Sequence, residues 1–381
     1  MSNDVYLFQR GDENHVQDFV RLRGSLLAWR GTDGRKLEFH TSLRWKTDLA
    51  DKNADESQLF VYDTYARCSG LLPRSVVTVG RQFVYSGAGS ALIDGGRITY
   101  RPSRKSSLEF FTGSSVSSTD PEDVRSIGDY LVMGTRAGLR VSGSARAELD
   151  WLLRKREGQT SFHRASLDAL YLYRNAELFG QMSYDLADLR VAEFRGRVVY
   201  RPHLWYFSAE YTQREPYVPS NSIFAIINFD RYNLARFEAR RRVWKSWSVI
   251  SHLRTDLRED ETTWTTGLGI AGEFFSLQWI HQTGYGGKND GISGNLNLPV
   301  GSSLVCYATA HLYQYRIQTQ LDDRLDSYAW SAGVEWRTAY DLSVRAEGQY
   351  LRNAVYEDDT RFFLRVAKDF SAGSKSKGGQ Q

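Results

Sequence analysis

Apolar and polar side chains alternate with a period of two along most of this chain, and that period decides which backbone it can adopt. Residues 36–49 (KLEFHTSLRWKTDL) put Leu37, Phe39, Thr41, Leu43, Trp45, Thr47 and Leu49 on one parity. Lys36, Glu38, His40, Ser42, Arg44, Lys46 and Asp48 fall on the other. Successive side chains of a strand point to opposite faces, so this segment reads as a long strand with one apolar and one charged surface. Residues 143–154, 193–201, 328–337 and 341–350 repeat the pattern. Globular strands usually run about five or six residues, whereas a strand crossing a bilayer at a tilt needs roughly 9–11. No stretch approaches the roughly 18 consecutive apolar residues of a helical membrane span.

The connections between these segments are of two kinds. Short turns are expected at 31–34, 102–105, 142–144, 174–175, 202–203, 244–246 and 298–301. Mostly longer, polar or acidic links are expected at 51–57, 85–91, 117–128, 214–230, 283–290, 318–326 and 353–360. Tight turns at one end and longer loops at the other is the asymmetry of a transmembrane barrel. The expected fold is all-β: a closed antiparallel transmembrane β-barrel of 18–22 strands, with 22 the best count. Its short turns would be periplasmic and its longer loops extracellular. Residues 1–370 form this single domain, and 371–381 (SAGSKSKGGQQ) read as a disordered polar tail. A propeller would need a repeat of about 40–50 residues, and none is visible. A soluble sandwich would hide its apolar faces, yet here the opposite faces are too densely charged for a packed core.

In hydrocarbon every backbone donor and acceptor must be satisfied within the protein, and an open sheet edge cannot be, so the sheet must close. The apolar parity then faces lipid and the charged parity a wet interior. The chain holds 22 Tyr, 19 Phe and 10 Trp. Tyr and Trp prefer the two membrane interfaces, which accounts for residues such as Trp29, Trp45, Trp151, Trp330 and Trp336 near strand ends. Residues 361–370 (RFFLRVAKDF) resemble the terminal strand of bacterial outer-membrane proteins, which ends in an aromatic read by the outer-membrane assembly machinery. Here a polar tail follows Phe370, and Lys368 breaks the apolar parity. A second, narrower resemblance joins VVTVGRQ (76–82) to IDGGRITYRP (93–102). This pair is similar to a strand–loop–strand element of Gram-negative substrate-selective porins and alginate-export-type barrels. The resemblance implies an outer-membrane channel in which Arg81, Arg97 and Arg101 line the pore.

Of the 49 basic residues 39 are Arg, and they dominate the expected inward parity. Guanidinium is always charged and makes planar forks to carboxylate or phosphate. Arg44, Arg81, Arg97, Arg101, Arg146, Arg195, Arg197 and Arg201 are the candidate pore-lining residues. Inward acids such as Glu148, Asp150, Asp168 and Glu210 can pair with arginines across strands, so the ladder serves partly as wall structure. A local Arg excess at 80–101 and 195–201 would bias the lumen toward anions. Residues 215–230 (EPYVPSNSIFAIINFD) break the alternation. Ile223, Phe224, Ile226 and Phe229 are expected to fold into the lumen as a constriction, or to pack on the barrel rim. No stretch is left over for a separate plug domain, so loops or another protein would have to narrow the lumen.

Catalysis is not expected. Cys68 and Cys306 form no metal or disulfide framework, and the seven His are scattered without ligand spacing. His40 and Ser42 share a strand parity, but their flanking residues match no barrel hydrolase. No cofactor, metal or nucleic-acid site is expected, and residues 1–20 do not read as a secretory signal. The expected partners are the lipid bilayer, the assembly machinery and, in some readings, periplasmic or lumen-filling proteins. Three functions fit: a diffusion channel for small, anionic solutes; an export channel for an acidic polysaccharide; and a sheath around a partner such as a multihaem cytochrome.

Overall fold

The computed structural model describes residues 2–10, 13–32, 34–48, 58–117, 124–215, 231–258, 262–284, 287–316, 325–338, 340–353 and 358–370. The tail 371–381 and the apolar segment carrying Ile223, Phe224, Ile226 and Phe229 lie outside them. Among the described residues the chain forms 22 strands, from β1 (Ser2–Arg10) to β22 (Asp359–Lys368). Each pairs antiparallel with its neighbours in sequence, and the last meets the first through the register Ser2↔Ala367 to Phe8↔Arg361. The sheet therefore closes on itself as a barrel, with strands of 9 to 18 residues.

The alternation seen in the sequence becomes an alternation of exposure. In β20 (Leu325–Arg337) every second residue from Asp326 to Trp336 is exposed, and the residues between are half-buried. Of this exposed set Trp330 is 52% exposed, Val334 42% and Trp336 48%. A soluble protein would bury that parity. The convex side of this wall instead presents Leu, Phe and Trp to its surroundings, while charged side chains crowd on the concave side.

Connections at one end are two to five residues long, and those at the other run from two to seventeen. The expected longer link at 85–91 is a correction. β5 (Ser75–Ser86) and β6 (Gly89–Tyr100) run on through it and join at a two-residue turn, Gly87 and Ala88. The misreading has a physical cause, because the hairpin does not stay in the wall. β5 pairs with β4 (Gln58–Ser69) only from Val76 to Arg81. β6 pairs with β7 (Ser106–Ser115) only from Ile93 to Tyr100. The two arms remain paired with each other up to Ser86↔Gly89.

The departure point is Gly80, at φ +126°, where a Cβ would lie 2.4 Å from the Thr64 carbonyl oxygen. Only glycine takes that conformation at that approach without strain. Past it, the hairpin bends over the concave faces of β7, β8 (Leu131–Arg140), β9 (Ala145–Arg156) and β10 (Gln159–Tyr173). Val84, Ala88, Ala91 and Ile93 from the hairpin and Phe111, Val132 and Leu152 from the wall are all at most 8% exposed, and Phe162 packs against them. Phe111, Val132 and Leu152 sit on the parity opposite to the exposed Phe110, Leu139 and Leu149. The small dry core of this molecule thus lies inside the barrel, between its wall and its own inward hairpin.

Candidate functional site

The hairpin tip is held by polar contacts as well as by apolar ones. The Gly87 N–H donates to Asp150 Oδ2 at 3.0 Å, and Gln181 Nε2 donates to the Gly87 carbonyl at 3.4 Å. The guanidinium of Arg136 donates to the Tyr85 carbonyl, and that of Arg154 to the Ser90 carbonyl. Arg136 Nε also lies 2.8 Å from Glu148 Oε1 and 3.0 Å from Asp150 Oδ1. Charge-assisted bonds such as these are about twice as strong as neutral ones. At Gly87 a Cβ would meet Ser166 Oγ at 2.5 Å, Asp168 Oδ2 at 2.6 Å and Asp150 Oδ2 at 2.9 Å. A larger residue there would have to push these three side chains aside.

The hairpin root is built from the residues of the GRQ and DGGR segments. Gly80 faces Gly95 across the two arms. Arg81 grips Asp94 on the opposite arm with a two-pronged bridge, Nε to Oδ1 at 2.7 Å and Nη2 to Oδ2 at 2.6 Å. Gln82, 1% exposed, donates to the carbonyls of Thr78 and Gly95 at 3.4 and 3.3 Å. The register sets Arg81 opposite Asp94 and Arg97 opposite Thr78, so the two arginines lie on opposite faces of the sheet. Arg81 fastens the two arms together, and Arg97 lies on the charged parity without a hydrogen bond or ion pair among the described residues.

The other candidate arginines divide by their partners. On β12 (Arg190–Tyr200), Arg195 pairs with Glu210 at 2.8 Å and Arg197 with Glu177 at 2.8 Å. Just beyond that strand, Arg201 reaches Glu177 at 3.3 Å. Each of these charges is answered by a carboxylate on the neighbouring strand. Arg44 lies over the rings of Phe19, Phe60 and Tyr62 at 5.2, 4.7 and 5.4 Å, a cation held by aromatic faces. Arg101 and Arg146, from opposite sides of the β6–β9 region, meet around one cavity of about 430 Å³. Arg104, Lys105 and Arg140 border the same cavity, as do Glu148, Asp168 and Phe179. None of these five basic side chains has an ion-pair partner among the described residues. The short-turn end of this wall therefore carries a local surplus of positive charge.

Three features escaped the sequence. The hairpin tip was one, and the basic turn residues Arg104 and Lys105 were another. The third is the convergence of Glu148, Asp150 and Asp168, whose carboxylate oxygens lie within 4.8 Å of one another. The available signal was the apolar run Phe111, Val132, Leu152 and Phe162 on an otherwise charged parity.

No protein-family model matches the chain, and no curated protein matches it. Solved structures resemble it. The translocation pore of the P pilus usher PapC matches with a TM-score of 0.53, covering 96% of this chain and 98% of that one at 9% identity. The shared property is the fold. A second structure of the PapC translocation pore matches at 0.49 and 9% identity, over 98% of this chain and 99% of that one. OpdK of Pseudomonas aeruginosa, solved with vanillate, matches at 0.41 and 12% identity, over 96% of each chain. The closed antiparallel barrel is thus that of outer-membrane β-barrel structures.

Proposed function

We propose that this chain is an outer-membrane channel of a Gram-negative cell that passes small anionic solutes through a lumen narrowed by the β5–β6 hairpin. One observation carries the reading: the closed wall turns its apolar parity outward and its charged parity inward, as Trp330 and Trp336 at 52% and 48% exposure illustrate. Such a wall suits lipid outside and water inside. A round barrel of 22 strands, at about 4.8 Å per strand and a tilt near 40°, is about 44 Å across between backbones. The hairpin arms beyond Gly80 extend six residues each, 81–86 and 89–94, or roughly 20 Å at about 3.3 Å per residue. That narrows such a lumen without closing it.

The anion preference is supported by the unpaired cluster of Arg101, Arg104, Lys105, Arg140 and Arg146. Like-signed charges lining a low-dielectric passage raise the local concentration of counter-ions. Phe370, 75% exposed beyond β22, suits the terminal aromatic that the assembly machinery reads. The test is conductance of purified protein in planar bilayers under a salt gradient. Open currents with a reversal potential on the anion side support the proposal. Cation selectivity overturns the preference. A barrel that never conducts overturns the channel and favours an export conduit or a sheath awaiting its partner.

A further inference from the structure

The tip of the inward hairpin rests on a group of converging oxygens contributed by β9 and β10. Glu148 and Asp150 lie two residues apart on β9, and Asp168 lies directly across from Glu148 on β10. Arg136 supplies one positive charge, through its contacts to Glu148 Oε1 and Asp150 Oδ1. No described cation contacts Asp168, and its Oδ1 is buried without a hydrogen-bond partner. At ion-pair distance the three carboxylates share one guanidinium, and the basic side chains of the adjoining cavity, Arg146 among them, stand farther off.

A second observation points into the same group. Ser166 is 2% exposed, and its Oγ has no hydrogen-bond partner. That oxygen, Asp168 Oδ2 and Asp150 Oδ2 gather against Gly87, each within 2.9 Å of where a Cβ would stand there, so the three lie close to one another. A buried hydroxyl without a partner carries an unrecovered desolvation cost, which a ligand would recover. The carboxylate oxygens fall within 4.8 Å of one another. Oxygens on opposite sides of a Ca²⁺ ion, each at about 2.3–2.6 Å from it, are about 4.6–5.2 Å apart.

We propose that Glu148, Asp150, Asp168 and Ser166 form a divalent-cation site, of a size suited to Ca²⁺, beneath the tip of the β5–β6 hairpin. The ion supplies the partner that Ser166 Oγ and Asp168 Oδ1 lack. It joins strands β9 and β10 directly under Gly87, so it fixes the floor on which the hairpin is seated. Mg²⁺ suits the site less well, because it demands shorter bonds of about 2.0–2.1 Å and near-ideal octahedral geometry. The site does not depend on which solutes the lumen passes.

The test is calorimetric titration of CaCl₂ into detergent-purified, chelator-stripped barrel, whose folding is verified by heat-modifiable gel migration. The expected result is saturable binding of one ion per chain at about 10⁻⁴–10⁻³ M, the range of extracellular calcium modules, with weaker binding of MgCl₂. Asp168→Asn should weaken Ca²⁺ binding at least tenfold. Ser166→Ala, which removes one neutral oxygen and no charge, should weaken it several-fold and keeps the test available if Asp168→Asn does not fold. Asp256→Asn, at a carboxylate beside Arg254 elsewhere on the wall, should leave it unchanged. No saturable binding up to about 10 mM overturns the site, as does binding by Asp168→Asn and Ser166→Ala equal to that of the unaltered protein.

Discussion

Leu152 offers the sharpest perturbation of the constriction. It is 0% exposed, yet it stands on the concave side of the wall, where only the hairpin covers it. If the hairpin lifts away, Leu152 faces water. Its truncation therefore costs little in the undocked barrel, and nearly the whole penalty falls on docking. Leu→Ala at a fully buried site costs about 2–5 kcal/mol through lost transfer energy and residual cavity. At about 1.4 kcal/mol per decade, Leu152→Ala shifts the docking equilibrium by roughly 30-fold to 4,000-fold toward the undocked state. Single-channel recording reads this as new or longer dwells at a larger conductance. Leu149→Ala, three positions away on the same strand but 56% exposed on the convex face, is the control and should leave the current levels unchanged. Current histograms of Leu152→Ala identical to those of the parent, in protein verified as folded, would refute the idea that the hairpin is a seated constriction.

Other outcomes follow from the same geometry. Reversing Arg101 and Arg146 together to Glu should move the reversal potential toward cations, whereas Arg197→Gln should move it far less, since Arg197 is already matched by Glu177 at 2.8 Å. Arg197→Gln should also cost no more than about 1 kcal/mol in urea unfolding, because the pair is partly solvated. Leu167→Arg places a charge on the exposed apolar parity midway along β10, where Leu167 is 50% exposed. It should destabilise the vesicle-inserted barrel by about 2–4 kcal/mol if that position lies near the bilayer midplane, and an unchanged unfolding midpoint would argue against lipid contact there. Gly80→Ala introduces a Cβ 2.4 Å from a carbonyl at φ +126°. It should lower stability by about 1–3 kcal/mol, detectable as a lower temperature for heat modification on gels.

The wall was legible in the sequence because period-two alternation is a local property. The run Lys36 to Trp45 carries its own strand assignment and its own sidedness, and 22 was reachable by counting such runs. The hairpin was not legible, since Gln82, Val84 and Ile93 alternate with Phe83 and Leu92 just as wall residues do. What differs is the partner, and partners are set by registers that break off at Arg81 and Ile93. The register also sets Arg81 and Arg97 on opposite faces of the hairpin sheet, a separation that the spacing of the two segments does not show. The carboxylate group was hidden by one extra residue. A simple two-residue turn at Glu157 and Gly158 would set Asp168 across from Ala147. The register shift between Thr160 and Phe162 brings Glu148 there instead. A single bulge exchanges the two faces of a strand, and no composition rule announces it.

The closing ladder between β1 and β22 carries one more consequence. Asp4 there reaches Arg365 at 3.2 Å and Arg21 at 3.9 Å, and Tyr6 meets Phe363 edge-on at 4.9 Å. Arg365 and Phe363 are far along the chain from Asp4 and Tyr6, so the ring cannot lock until β22 has been delivered to β1. Rates fall as contacting residues grow more distant along a chain. The completed cylinder is thus an all-or-nothing product: a chain stalled one strand short is an open ribbon with two raw borders, and its survival depends on whatever shields those borders until the last strand arrives.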